Sequence, residues 1–139
     1  MEIALMPSTP LTQRIVYSDF YTDLNKHPLR NTLLRKTNVD AVKQSIRNLL
    51  LTNKGERLFQ PNLGGNINAM LFENITPQTF ITMQDHIKDI LAAHEPRAEV
   101  IEVYIAETSD EHEVQVTIVF SIVNVQEPIT LEVILERVR

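Results

Sequence analysis

The chain has 139 residues, 43% of them apolar, enough for one compact core and too few for two well-packed domains of ordinary size. It contains no cysteine, which excludes disulfides, thiol nucleophiles and zinc-thiolate sites together. Thirteen Lys and Arg against eighteen Asp and Glu give a net charge of −5, which argues against a phosphate-tracking nucleic-acid surface.

Apolar runs are broken by charges well before the roughly 18 residues a bilayer crossing needs, and no basic patch precedes an apolar stretch at the N-terminus. The expectation is a chain without membrane insertion or a signal peptide, folding in the cytoplasm. Charge is unevenly placed. From Glu95 onward ten acidic residues face three basic ones, net −7, whereas the preceding segment carries net +2. The acidic third either meets a basic partner or solubilises one sheet face.

Met1 to Thr12 holds Pro7 and Pro10 among Ser and Thr without a period and reads as an extended arm. Ile15 to Phe20 forms a short strand or docks its aromatics on the core. The segment from there to Thr37 is expected to be loop, with His27-Pro28 disfavouring helix. Residues 1–37 are therefore assigned to an arm and irregular segment, and residues 38–139 to one domain.

Asn38 is suited to capping a helix whose apolar stripe is Val39, Val42, Ile46, Leu49 and Leu50. That helix should end near Asn53, closed by Gly55 in the left-handed region. Pro61, Gly64 and Gly65 mark a loop, and Ile67, Met70, Leu71 and Phe72 fit one or two helical turns. Thr76-Pro77 starts the next helix as cap and first residue, with Phe80, Met83, Ile87, Ile90 and Leu91 on its stripe and Pro96 as its stop.

Beyond Pro96 the period changes to two. Val114, Val116, Ile118, Phe120 and Ile122 alternate with Glu113, Gln115, Thr117, Val119 and Ser121. Glu99 to Ala106 before it is β-rich, and Ile129, Leu131, Val133 and Leu135 after it alternate with Thr130, Glu132, Ile134 and Glu136. Turns at Thr108–Glu111 and Asn124–Pro128 join the strands into a meander. The fold class is α+β, with helices packed on a C-terminal three-stranded antiparallel sheet.

Several chemistries lack their motifs. No GxGxxG or GxxxxGK[ST] surrounds Gly64-Gly65, and no GxSxG is present. His86 and His94 are eight positions apart, so a helical zinc pair is not expected, and Asp110-Glu111-His112-Glu113 reads as a solvated hairpin turn rather than a cation site. No metal or other cofactor is expected. A two-carboxylate glycosidase needs two acids about 5 to 9 Å apart. Glu56, Glu73 and Glu95 are the candidates, but eight aromatics and no Trp make a poor sugar-stacking groove.

Two motifs remain, each at a helix C-terminus: Gly55-Glu56-Arg57 and Glu95-Pro96-Arg97. They either clasp each other, Glu56 to Arg97 and Arg57 to Glu95, or leave an arginine free to fork onto a partner. In order and spacing, Ile46-Arg47-Asn48-Leu49-Leu50-Leu51-Thr52-Asn53-Lys54-Gly55-Glu56-Arg57, Pro61, Leu63-Gly64, Leu71-Phe72-Glu73 and Glu95-Pro96-Arg97 resemble the gene-25-like (GPW) baseplate wedge family of contractile phage tails and type VI secretion baseplates. The resemblance spans about Val39 to Arg139.

It implies a structural protein rather than an enzyme, although family members are often labelled lysozyme-like. It also implies a place in the virion tail baseplate after assembly in the host cytoplasm, as part of a hetero-oligomer with other wedge proteins and the tail sheath. By that likeness Glu95, Pro96 and Arg97, with Glu56 and Arg57, contact the wedge core, and the sheet offers an edge to the first sheath ring. The physics of such an edge is general: an outer strand has unpaired N–H and C=O groups that another strand can join. Alternation of Ile129, Leu131, Val133 and Leu135 would fix the register, because a one-residue slip turns Glu132 and Glu136 inward. The competing reading is an edge blunted by its own acids and by Arg137 and Arg139.

Overall fold

The change of apolar period at Pro96 divides the molecule into a helical layer and a sheet. The computed structural model describes residues 15–73, 76–109, 113–123 and 125–136. In chain order the elements are β1 (Ser18–Phe20), β2 (Arg35–Thr37), α1 (Asn38–Leu51), α2 (Ile67–Leu71), α3 (Pro77–His94), β3 (Ala98–Glu107), β4 (Glu113–Ile122) and β5 (Val125–Glu136). The expectations for Met1–Thr12, Asp110–His112, Arg137 and Arg139 lie outside the described residues.

The C-terminal sheet is antiparallel in the order β3-β4-β5, so β4 is central and β3 and β5 are outermost. The alternation of β4 translates directly into burial: Val114, Val116, Ile118, Phe120 and Ile122 are all buried. Strand β5 repeats the pattern, with Val133 and Leu135 buried, Ile129 and Leu131 half-buried, and Thr130, Glu132, Ile134 and Glu136 exposed. Strand β3 lacks a clean alternation because its register shifts between Val100 and Glu102. Ile101 is the extra residue, and it is exposed.

The helices cover the inner sheet face. Val42, Ile46, Leu49 and Leu50 of α1, Met83, Ile87, Ile90 and Leu91 of α3, and Ile67 and Leu71 of α2 join the sheet residues in one core. Burial of side chains this size stabilises by about 1.5 to 3 kcal/mol each. Thr76 caps α3 as expected: its Oγ1 accepts the Thr79 N–H at 3.2 Å, with Pro77 in the first turn.

Four local expectations are corrected. Asn38 does not cap α1. Thr37 holds the cap position, and Asn38, at φ +48°, turns its Oδ1 back to accept the Val16 and Tyr17 N–H groups at 2.9 and 3.3 Å. The helix ends at Leu51 with Thr52 as its C-cap, close to the expected Asn53: Thr52 leaves the helical region at ψ 126° while its N–H and hydroxyl both still donate to the Asn48 carbonyl. Gly55 does adopt φ +84°, but it shapes the following loop, where its N–H donates to the Pro61 carbonyl.

The stretch read as loop up to Thr37 contains β2, whose Arg35–Thr37 pairs antiparallel with Ser18–Phe20. Finally, β5 starts at Val125 rather than after Pro128. Pro128 falls where the register shifts between the Phe120–Ile129 and Ile122–Val125 pairs, a position at which a missing N–H is tolerated. The row from Ile129 to Glu136 remains free of proline.

Candidate functional site

Pro96 forces Glu95 out of the helical conformation, and the chain leaves α3 with Glu95 at φ −127° and ψ 75°. This corner turns the Glu95 carboxylate back toward α1. Arg97 donates to it twice, from Nε to Oε1 at 2.6 Å and from Nη2 to Oε2 at 2.8 Å. Ser45 of α1 donates its hydroxyl to Oε2. The Glu95 side chain is 2% exposed and that of Arg97 31% exposed. The guanidinium carbon also lies 5.5 Å from the centre of the Tyr17 ring, a cation–π distance.

Burial pushes the Glu95 carboxyl up, but hydrogen bonds from Arg97 and Ser45 together with the guanidinium charge outweigh it and hold the group below its ordinary value. The Glu95 bonds raise Arg97 in turn, against its own burial, with smaller help from Asp19. The result is an ion pair whose carboxylate is buried with three donors and whose guanidinium is partly open to solvent.

Neither expected cross-clasp forms among the described residues. Arg97 pairs within its own motif, and Glu56 accepts the Asn53 N–H at 2.8 Å, closing its own turn. A cleft of about 190 Å³ is lined by Arg57 of the first motif and by Asp19, Ser45, Asn48 and His94; the second motif borders it only through Ser45, which bonds Glu95, and His94, which precedes it. Arg57 and Pro96 are exposed.

Leu58 and Phe59, 87% and 99% exposed, project immediately beyond Arg57. Sequence reasoning did not single them out. The signal was present, because an apolar pair between Arg57 and Pro61 fits neither the helical nor the strand period.

As acid catalysts the three candidate glutamates fare poorly. A general acid needs a raised pKa and access to a leaving group, whereas Glu95 is sealed and lowered. Glu56 is tied to a backbone amide, and Glu73 is exposed after α2. Among the described residues no three His, Asp or Glu side chains gather as metal ligands.

Strand β5 lies at the sheet margin, with no strand paired to its far side among the described residues. Ile129, Leu131, Val133 and Leu135 face the core, so that margin offers backbone groups together with the outward Thr130, Glu132, Ile134 and Glu136.

A family model described as baseplate wedge protein gp25 matches residues 36–127. The chain is 29% identical over 109 residues to the baseplate wedge protein gp25 of Enterobacteria phage T4, covering 78% of this chain and 82% of that protein. Solved structures share the fold. A candidate tail lysozyme from Geobacter sulfurreducens superposes with a TM-score of 0.65 at 24% identity, over 70% of this chain and 89% of its own. A chain of the anti-feeding prophage baseplate gives 0.62 at 23% identity, over 88% and 87%. A chain of the postcontracted pyocin R2 baseplate gives 0.58 at 22%, over 67% and 93%. With the two-corner arrangement and the meander in place, the matched segment running from β2 through β4 into β5 establishes that this chain belongs to the gp25 baseplate wedge protein family.

Proposed function

We propose that this chain is a structural wedge subunit of a contractile-tail baseplate, which docks on the wedge core through its arginine corners and starts sheath assembly by strand addition along β5. It acts without catalysis, in a hetero-oligomer of wedge and sheath proteins assembled in the host cytoplasm and carried in the tail. The observation that carries the sheath half of this reading is the outer position of β5, with a proline-free row from Ile129 to Glu136 and a register set by burial of alternate residues.

On the wedge side, Pro96, the solvent-facing part of Arg97 and Arg57 form the contact surface, and Glu95 is its positioning residue. A carboxylate 2% exposed and already holding three donors is out of a partner's reach. It fixes the plane of the Arg97 fork instead.

Proline substitutions along Thr130–Ile134 test the strand addition. In an antiparallel edge strand, N–H groups alternate between the neighbour and the open side. Proline at one parity breaks the β4–β5 ladder and lowers thermal stability. Proline at the other parity is expected to leave the fold intact and to stop sheath recruitment, as seen by electron microscopy of tails. Normal tails from every folded proline variant would reject strand addition.

The likeness to a candidate tail lysozyme makes peptidoglycan cleavage the second reading. It requires turnover on purified cell wall that disappears with Glu56→Gln or Glu95→Gln. A folded sample with no turnover retires it.

A further inference from the structure

A groove of about 570 Å³ lies between α1, the β1–β2 ladder and β5, and its walls include Lys36, Lys43, Arg47, Asp40, Gln44 and Leu131. Three cations against one anion is an inversion for a chain of net charge −5. Among the described residues none of these cations has an ion pair, since the one pair present is Glu95–Arg97. Lys36 instead stands 4.8 Å from the centre of the Tyr21 ring. Lys43 and Arg47 are one helical turn apart in mid-helix, too far from the C-terminal turn to be explained by the helix dipole.

Gln44 adds a polar feature to the same wall. It is 8% exposed, and its amide nitrogen donates to the Phe20 carbonyl at 2.6 Å. A carbonyl only accepts, so the amide orientation is fixed and Oε1 is the atom left over, with no hydrogen-bond partner. That oxygen is buried, so what the wall offers an occupant is its cations, which call for acceptor groups.

Leu131 places this groove. It belongs to the inward parity of β5, so the groove adjoins the core side of the open margin. A strand added there lies about 4.8 Å beyond β5 and directs alternate side chains to the same side as Leu131. Those side chains recur every about 7 Å, close to the about 6 Å between residues four apart on a helix, so two of them match Lys43 and Arg47 in spacing.

The chain's own Glu132 and Glu136 have the opposite parity and are exposed on the outer face, so they leave the groove unneutralised. A second copy adding its β5 would bring Ile129, Leu131, Val133 and Leu135 to the cations, a mismatch that disfavours self-association. We infer that this groove reads carboxylates at alternate, inward-facing positions of the partner strand that joins β5, selecting an acidic strand over a second copy of this chain. The inference rests on the strand-addition reading and supplies its specificity.

The test titrates the full chain, by amide chemical shifts, with three ten-residue peptides: alternating Thr and Glu, alternating Thr and Lys, and the Thr/Glu peptide N-methylated at every residue. The Thr/Glu peptide is expected to shift the amide signals of Lys43, Arg47 and Leu131 and to bind at least about tenfold tighter than the Thr/Lys peptide. In Lys43→Glu/Arg47→Glu the preference is expected to reverse. Lys43→Gln/Arg47→Gln, which adds no new charge, is expected to lose the preference and serves if the first variant fails to fold. Equal binding of both charged peptides overturns the acidic selection and leaves strand addition standing. Undiminished binding of the N-methylated peptide overturns strand addition, because that peptide has no backbone donors. Binding of neither charged peptide overturns the inference.

Discussion

Arg97 closes onto Glu95 across a single proline, meeting both carboxylate oxygens, with Ser45 of the neighbouring helix as the third donor. The arrangement is an internal clasp and a presentation device at once. The carboxylate is consumed and the guanidinium is left partly exposed in a fixed plane. Removing the arginine therefore damages the fold before it damages any contact. Arg97→Ala is expected to cost about 3 to 5 kcal/mol, because it strands a buried carboxylate. Arg97→Lys is expected to cost about 1 to 2 kcal/mol, since an ammonium cannot reproduce the two-point fork. Arg57→Ala, at an exposed position, should stay within about 0.5 kcal/mol of the parent. Thermal or urea unfolding of the three purified variants gives the order.

The same pair sets a pH signature. Glu95 is held below its ordinary value in the folded chain, so its contribution is complete above the unfolded value near 4.5 and is lost as pH falls through the lowered folded value. In Arg97→Ala the largest influence left on the carboxyl is burial, which raises it. The sign then inverts. The variant is expected to lose stability as pH rises from about 4.5 into the range of the raised value, where the parent is on its plateau. Melting temperature against pH for both proteins shows opposite slopes if the clasp is as described.

How much of this was legible in the sequence follows from which interactions are local. The stripes of α1 and α3 and the alternation of β4 and β5 are repeats that a few residues declare, and each became a buried face. Thr76-Pro77 marked its helix start for the same reason. The misreadings arose where a distant group decides. Asn38 looked like a cap, yet its side chain is captured by Val16 and Tyr17, about twenty residues upstream. Strand β2 is only three residues long and exists through β1. At the candidate site, the paired motifs identified both corners, while the choice between cross-clasp and self-clasp depended on Ser45, which no spacing connects to Glu95.

Asn38 allows a direct test of that long-range capture. Its φ of +48° is tolerated by Asn and costs Ala about 1 to 2 kcal/mol, and the lost acceptor frees the Val16 and Tyr17 amides. Asn38→Ala is expected to destabilise by about 2 kcal/mol in total, and Asn38→Gly by less, since glycine removes the backbone cost and keeps the loss of bonds. Hydrogen exchange at Tyr17 should accelerate equally in both variants. Unchanged exchange would show that the side chain does not hold the N-terminal segment over Arg97.

The glycines between the two corners give a graded prediction, because each needs its missing side chain for a different reason. Gly55 has φ +84° and open space around it, so Gly55→Ala is expected to cost about 1 kcal/mol of backbone strain. Gly65 has an ordinary φ, but an added Cβ would overlap the tip of Ile90 and crowd Ile67, and Gly65 also holds His86 through its carbonyl at 2.6 Å. Both isoleucines can shift, so Gly65→Ala should cost about 1 to 3 kcal/mol. Gly64 combines φ +107° with direct overlap on the Thr52 carbonyl oxygen, a backbone atom that anchors the loop by accepting the Gly65 N–H. Nothing there can yield without opening the loop that carries Arg57. Gly64→Ala is expected to cost at least about 3 kcal/mol, the largest of the three. Urea midpoints in the order Gly55→Ala above Gly65→Ala above Gly64→Ala bear this out, and a Gly64→Ala variant as stable as the Gly55 one would show that the loop is not pinned at Thr52.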